Sequence, residues 1–220
     1  VSGRTALLLG ATGLVGGHCL DALVASDAYA RVTVLARRAT GRAHPKLDER
    51  VVDFARLADA ADAFDVDEVF CCLGTTLAAA GSREAFRAVD HDLVVEAGRL
   101  AAAAGARTFL LVSATGAGAG SRVFYSRVKG EAEDALRALP LPALVLLRPS
   151  LLLGARAERR TAERVGQAVM RAAAPLFAGP LRRWRALDGA AVARAMVRTA
   201  PRAPAGVTVL ENEEIARVGA

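Results

Sequence analysis

The amino-acid sequence predicts an α/β protein built on a doubly wound parallel sheet with helices on both faces. Three observations carry that prediction. Short β-branched or Leu-rich runs alternate with longer stretches of helical spacing from the first residues to about Leu153. A glycine-punctuated turn, "LLLGATGLVGG", joins the first apolar run to the first helical pattern. No apolar run approaches the roughly 20 residues of a membrane-crossing helix, and "LPLPALVLL" is broken by proline. Alternation of this kind makes a parallel sheet, because parallel neighbours need crossovers, and right-handed crossovers lay helices on both faces.

In chain order, "RTALLLGAT" reads as the first strand and "GLVGGHCLDALVAS" as the first helix. "RVTVLARR" is the second strand. A polar Gly/Pro stretch leads to a short third strand, "RVVDF", and a short helix around "LADAADAF". "DEVFCCLG" is the fourth strand, followed by one long helix from about Arg83 to Ala104. "TFLLVSA" is the fifth, then comes the helix containing "YSRVKGEAE", and "ALVLLRPSLLL" is the sixth. Beyond Leu153 the pattern changes to two arginine-dense stretches, a helix around Gly189 to Thr199, a short strand "VTVLE" and a final helical turn. Residues from about 154 to 220 are expected to be a small lid or substrate portion of a single domain.

Composition narrows the classes. With 53% hydrophobic and 24% charged residues, the chain is ordinary for a folded globule and too apolar for disorder. The formal charge of +6 is spread over scattered arginines without interleaved aromatics, which argues for a solvated basic surface and an anionic cofactor or substrate rather than nucleic acid. Three cysteines, Cys19, Cys71 and Cys72, have neither disulfide-framework nor zinc spacing. The apolar start of the chain flows into the glycine loop rather than a cleavage site. Together these suggest a reducing, cytoplasmic setting. His18 and His44 lack metal-ligating partners at useful spacing, so no metal is expected. "PLFAGPLRRWR", residues 175–185, reads as a loop over the substrate site, with weak contact to anionic lipid as the lesser alternative. A monomer and a homodimer both remain open.

The glycine turn carries the first chemistry. Gly10, Gly13 and Gly16 fall in a GxxGxxG pattern where a strand meets a helix. Glycine allows the tight turn, a missing Cβ lets backbone amides approach a pyrophosphate, and the helix N-terminus adds partial positive charge. Where nucleotide sites for NAD carry an acidic residue on the ribose, the second strand ends in Arg37 and Arg38. Two guanidiniums suit a 2′-phosphate, so NADP(H) is expected over NAD(H). Asp53, ending the third strand, is a candidate acceptor for the adenine amino group, or simply a solvated acid.

One of only two tyrosines, Tyr125, stands four residues before one of only two lysines, Lys129, in a chain that otherwise relies on arginine. Four residues is one helical turn, so both side chains share a face. A phenol ionises near pH 10, and bringing it to about 7 needs roughly 4 kcal/mol of phenolate stabilisation. A cation at ~4 Å supplies up to about that much at an effective dielectric near 20. Ser113, twelve residues upstream at the tip of the fifth strand, is the candidate hydroxyl for holding a substrate oxygen, with Thr115 as its substitute.

With these residues in order, the chain resembles the short-chain dehydrogenase/reductases, through "GATGLVG", the Ser113–Tyr125–Lys129 spacing and "LLRPSLLL". More narrowly, "VFCCLGTT", "AVDHDLVVEAGRLAAAAGA", "YSRVKGEAE" and "VLENEEI" resemble the atypical members grouped with the Tat-interacting-protein-like oxidoreductases. The resemblance covers nearly the whole chain and is weakest from about Arg156 to Arg185. It implies a Rossmann-like NADPH-binding domain with Ser113, Tyr125 and Lys129 as the catalytic group. The implied cofactor positions are Gly10, Thr12, Gly13, Leu14, Val15 and Gly16 in the loop, and Arg37, Arg38, Asp53 and Phe54 beyond it. Leu73, Gly74 and Thr75 would line the cofactor, with Tyr125 and Lys129 beside its ribose. The backbone of Pro149, Ser150 and Leu151 would lie near the nicotinamide carboxamide. One departure is plain: the asparagine that many superfamily members use in a proton relay is missing, and Asp90 and His91 occupy that segment. The expected function is reduction or oxidation of a carbonyl or alcohol. The alternatives are a sugar-nucleotide epimerase or dehydratase, and a non-catalytic NADPH-binding regulatory protein.

Overall fold

The computed structural model describes residues 3–153 and 186–220. Seven strands form one parallel sheet: β1 (Arg4–Leu9), β2 (Tyr29–Ala36), β3 (Leu47–Val51), β4 (Glu68–Cys71), β5 (Thr108–Val112), β6 (Ala143–Arg148) and, late in the chain, Gly206–Glu211. The intervening pair β7 (Leu152–Leu153) and β8 (Leu187–Asp188) forms a separate two-stranded ladder, so the seventh sheet strand is β9. The spatial order is β3-β2-β1-β4-β5-β6-β9. The winding reverses between β1 and β4, and such a reversal opens a crevice at the carboxyl ends of the strands.

Strand periodicity builds two cores. Along β1, Ala6 and Leu8 face one cluster while Leu7 and Leu9 face the other. β6 repeats the division, with Val145 and Leu147 opposite Leu144 and Leu146. A strand buried on both faces becomes a continuous apolar run, and "TFLLV" of β5 is buried at every residue. The first cluster is closed by α1 (Leu14–Ala25), α6 (Gly189–Thr199) and α7 (Asn212–Gly219), and the second by α4 (Leu93–Ala103) and α5 (Phe124–Arg137) with a kinked 3₁₀ segment, Phe54–Phe64. The short helices α2 (Leu77–Ala80) and α3 (Arg83–Arg87) follow β4.

Two expectations are corrected. The third strand lies at Leu47–Val51 rather than at "RVVDF", because a polar edge strand hides its period. The long helix is three pieces: α3 opens into a π-helical turn, Ala88–Asp92, before α4 resumes. Residues 187–220, expected within the lid or substrate portion, build into the main sheet and its first face. β9 pairs with β6 in parallel from Ala143↔Gly206 to Arg148↔Glu211, and α6 and α7 pack on the first face. The expected lid over 154–185, including the 175–185 segment, lies outside the described residues.

Candidate functional site

The glycine turn sits at the reversal point, and each of its glycines meets a physical need. Gly10 has φ +83°, and a Cβ there would lie 2.5 Å from the Cys72 carbonyl oxygen. A Cβ on Gly16 would fall 2.0 Å from the Gly10 carbonyl oxygen. The turn is closed by the Gly13 amide donating to the Gly10 carbonyl at 3.0 Å. Gly13 caps α1 without a side-chain cap, while Thr12 and Gly13 are exposed. Among the described residues, the first amides of α1 are therefore unclaimed by any capping side chain, and the bare backbone forms a cradle that side chains would fill. This fits a pyrophosphate. Leu14 is half-buried and Val15 is buried.

Around the loop, Arg37 and Arg38 are exposed just past β2, and no hydrogen bond or ion pair ties down either among the described residues. Asp53 is exposed, but its Oδ1 accepts the Ala55 amide at 2.9 Å, capping the 3₁₀ segment. Phe54 is 8% exposed and belongs to the second core, leaving only its backbone to face a ligand. Across the crevice Leu73 and Thr75 are half-buried and Gly74 is exposed. Beyond β6, the Pro149 carbonyl accepts the Thr115 amide at 2.9 Å, the Ser150 amide donates to Asn212 Oδ1 at 2.8 Å, and Leu151 is exposed.

The helix α5 carries the reactive groups. Its N-terminal end stands at the carboxyl edge of the sheet, as the hydrogen bond from Lys129 Nζ to the Val112 carbonyl (3.4 Å) requires. Tyr125 is half-buried with its ring 5.5 Å from that of Phe86. Lys129 is 4% exposed, and its ammonium lies 2.9 Å from Asp90 Oδ1. The Oδ1 contact is an ion pair lying off the line a hydrogen bond prefers. Asp90 Oδ2 accepts the Thr75 amide at 2.8 Å. Burial alone would depress the Lys129 pKa. The Asp90 carboxylate, with help from the Tyr125 phenol, reverses that and leaves it raised, so the ammonium stays charged.

Ser113 goes elsewhere. It is buried, and its Oγ donates to Glu133 at 2.5 Å. Glu133 also accepts Arg148 at 3.0 and 2.6 Å and Arg137 at 3.0 Å. Thr115 donates to the Arg148 carbonyl at 2.9 Å. The structure thus brings Tyr125 and Lys129 together with Asp90 and the 74–75 backbone, and it turns the Ser113 hydroxyl toward Glu133. Sequence reasoning missed Glu133. Its signal was the spacing 125–129–133, one stripe of α5.

A family model described as NAD(P)H-binding matches residues 10–174. "Protein fmp52, mitochondrial" of Aspergillus clavatus is 37% identical over 227 residues, spanning 96% of this chain and 97% of the relative. "Protein HTATIP2" of Rattus norvegicus is 37% identical over 164 residues, spanning 73% and 67%. The chain belongs to the NAD(P)H-binding, Tat-interacting-protein-like group of atypical short-chain dehydrogenase/reductases. Solved structures of this superfamily's fold superpose well. MoeE5 in complex with UDP-glucuronic acid and NAD gives a TM-score of 0.70 at 19% identity, covering 94% of this chain and 75% of that one. A short-chain dehydrogenase/reductase superfamily protein from Agrobacterium tumefaciens with bound NAD gives 0.69 at 17%, covering 94% and 77%.

For this atypical short-chain dehydrogenase/reductase, the expected cytoplasmic setting is overturned, since its Fmp52 relatives are named mitochondrial. The error lay in reading compartment from cysteines. Cys19 and Cys71 are buried and Cys72 is half-buried, so their positions report packing. No helix among the described residues is long and apolar enough to cross a membrane.

Proposed function

We propose that the protein is an NADPH-dependent oxidoreductase that interconverts a carbonyl and an alcohol, with Tyr125 as its acid–base. The observation that carries this reading is the placement of a buried, charged Lys129 one helical turn from Tyr125, at the sheet edge where the glycine cradle lies. When bound, the nicotinamide supplies a hydride to the carbonyl carbon or takes one from the alcohol carbon. Tyr125 gives its phenolic proton to the substrate oxygen as that atom gains charge, and recovers it in the reverse direction. Lys129 holds positive charge beside the phenolate so formed. Ser113 already donates to Glu133, so it meets a substrate as an acceptor and positions an alcohol O–H. Arg37 and Arg38, exposed and unpaired among the described residues, are suited to grip a 2′-phosphate with forked, charge-assisted bonds.

The test screens aldehydes, ketones and quinones for NADPH oxidation. Tyr125→Phe is expected to lower turnover by about 10²–10⁴-fold, the usual range for a lost general acid. It should leave NADPH binding, followed by nucleotide fluorescence, within about twofold. Ser113→Ala should cost much less than Tyr125→Phe. Converting both Arg37 and Arg38 to Ala should weaken NADPH binding by about tenfold or more while sparing NADH, from about 1.5–3 kcal/mol per charged hydrogen bond. Turnover undiminished in Tyr125→Phe would sink the catalytic assignment. NADPH binding without turnover on any carbonyl would favour a cofactor-dependent binding protein instead.

A further inference from the structure

The helical run from Arg83 to Ala103 is interrupted at one place. Over Ala88–Asp92 it widens into a π-helical turn, a rare insertion that recurs at functional sites. Asp90 lies on this turn and is 1% exposed. A buried carboxylate costs several kcal/mol of lost solvation unless something nearby repays it. Here the repayment comes from two directions, the Lys129 ammonium on α5 and the Thr75 amide after β4. Gly74 lies directly over the pair. A Cβ on it would stand 3.3 Å from Asp90 Oδ1 and 3.5 Å from Lys129 Nζ. Gly74 is itself exposed, so the ion pair is one backbone thickness from the open crevice.

We propose that Asp90 is a positioning residue, clamping the Lys129 ammonium to the Gly74–Thr75 backbone and offsetting part of its charge beside Tyr125. Its place in the chemistry rests on the reading of Tyr125 as acid–base, whereas the electrostatic coupling is a property of the protein alone. Among the described residues, the other groups facing this cluster do not supply a competing charge. From β4 comes the Cys71 thiol, pushed up to about 12 chiefly by burial and hence neutral. From β5 comes the Val112 carbonyl, and from α3 the Phe86 ring. His91 pairs with Asp92, Arg87 pairs with Glu131, and Arg83 and Arg127 lie over Phe124. A clamp of this kind trades phenol activation for a fixed backbone, since an unpaired Lys129 would draw the Tyr125 proton off more easily.

The molecule offers an unusually clean readout. Of its two tyrosines, Tyr29 is 1% exposed and bonded to Glu68, and burial pushes its ionisation far up. Alkaline absorbance titration of the cofactor-free protein therefore reports Tyr125, and the signal should vanish in Tyr125→Phe. Asp90→Asn is expected to move the Tyr125 midpoint down by about one pH unit, tenfold in the ionisation constant, and Lys129→Met to move it up by a similar amount. The double variant, neutral at both positions, should return close to the unsubstituted protein. Coincident titrations of Asp90→Asn and the unsubstituted protein would overturn the proposal. If Asp90→Asn does not fold, Lys129→Met against the double variant decides it, and coincidence of those two overturns it equally. Ordered shifts in a protein that turns over no carbonyl would uphold the clamp and sink only the oxidoreductase reading.

Discussion

Glu133 stands two turns beyond Tyr125 on α5, fully buried, and it gathers the Ser113 hydroxyl and the guanidiniums of Arg137 and Arg148. Its three partners come from β5's tip, α5 itself and the end of β6, so one carboxylate ties together the elements that flank the site. Removing one member of a buried charged cluster leaves the others uncompensated, at a cost of about 3–5 kcal/mol. Glu133→Gln is expected to destabilise the fold by roughly that much in urea or thermal unfolding. Arg137→Ala should cost under about 1 kcal/mol, because Arg137 lies at the solvent edge of the cluster and Arg148 remains. Equal losses for the two would show that the cluster is not organised around its carboxylate. Tyr125 and Lys129 were legible because each is rare in this chain and their spacing is chemically pointed. Glu133 was not, since "GEAEDALR" offers three acids on one helix and only register against Lys129 singles one out. Ser113 was legible in position but not in orientation, which depends on that unseen partner.

At the scale of elements, the buried strands and α1, α5 and α6 could be read from period and turn chemistry. The failures share a cause, namely that tertiary contacts overrode local pattern. β3 reads "LDERV", a charged run that becomes a strand only because β2 offers it a ladder from Val32↔Leu47 to Ala36↔Val51. The π-turn has no local signature, and the inward pull of Lys129 on Asp90 is its visible reward. Glycines on α4 and α5 show how closely the second layer packs. A Cβ on Gly130 would lie 2.2 Å from the backbone carbon of Gly118. On Gly98 it would lie 2.2 Å from Leu136 Cδ2, the far end of a flexible side chain. Gly130→Ala must therefore shift the loop before α5 and should cost about 1–3 kcal/mol. Gly98→Ala should cost less, because Leu136 can change rotamer and alanine favours the helix by about 1 kcal/mol. Thermal unfolding of the two variants checks the order. A larger loss for Gly98→Ala would mean that Leu136 has nowhere to move.

The whole molecule responds to pH through buried and half-buried carboxylates whose pKa shifts run in opposite directions. Glu133 is held below its ordinary 4.5: burial pushes it up, but Arg148, Ser113 and Arg137 outweigh that. Asp67 is held below 3.8, first by the Thr5 amide. A depressed folded-state pKa contributes stability that is present above the unfolded value and lost as pH falls through the folded one. Glu68, at the opposite edge of the sheet from the site, is pushed above 4.5 by burial, with Tyr29 and Arg4 only partly opposing it. Its contribution is complete below 4.5 and is lost as pH rises through the raised folded value. The chain should therefore lose stability in acid, through Glu133 and Asp67, and also as pH rises on the neutral side of 4.5, through Glu68. Melting temperatures across that range separate the two ends of the sheet. Glu133→Gln should flatten the acid limb, and Glu68→Gln should remove the decline on raising the pH while leaving the acid limb in place. An unchanged neutral-side slope in Glu68→Gln would mean that Arg4, 40% exposed, keeps the carboxylate charged on that side, and that the buried base of the sheet is an ion pair rather than a protonated acid hydrogen-bonded to Tyr29.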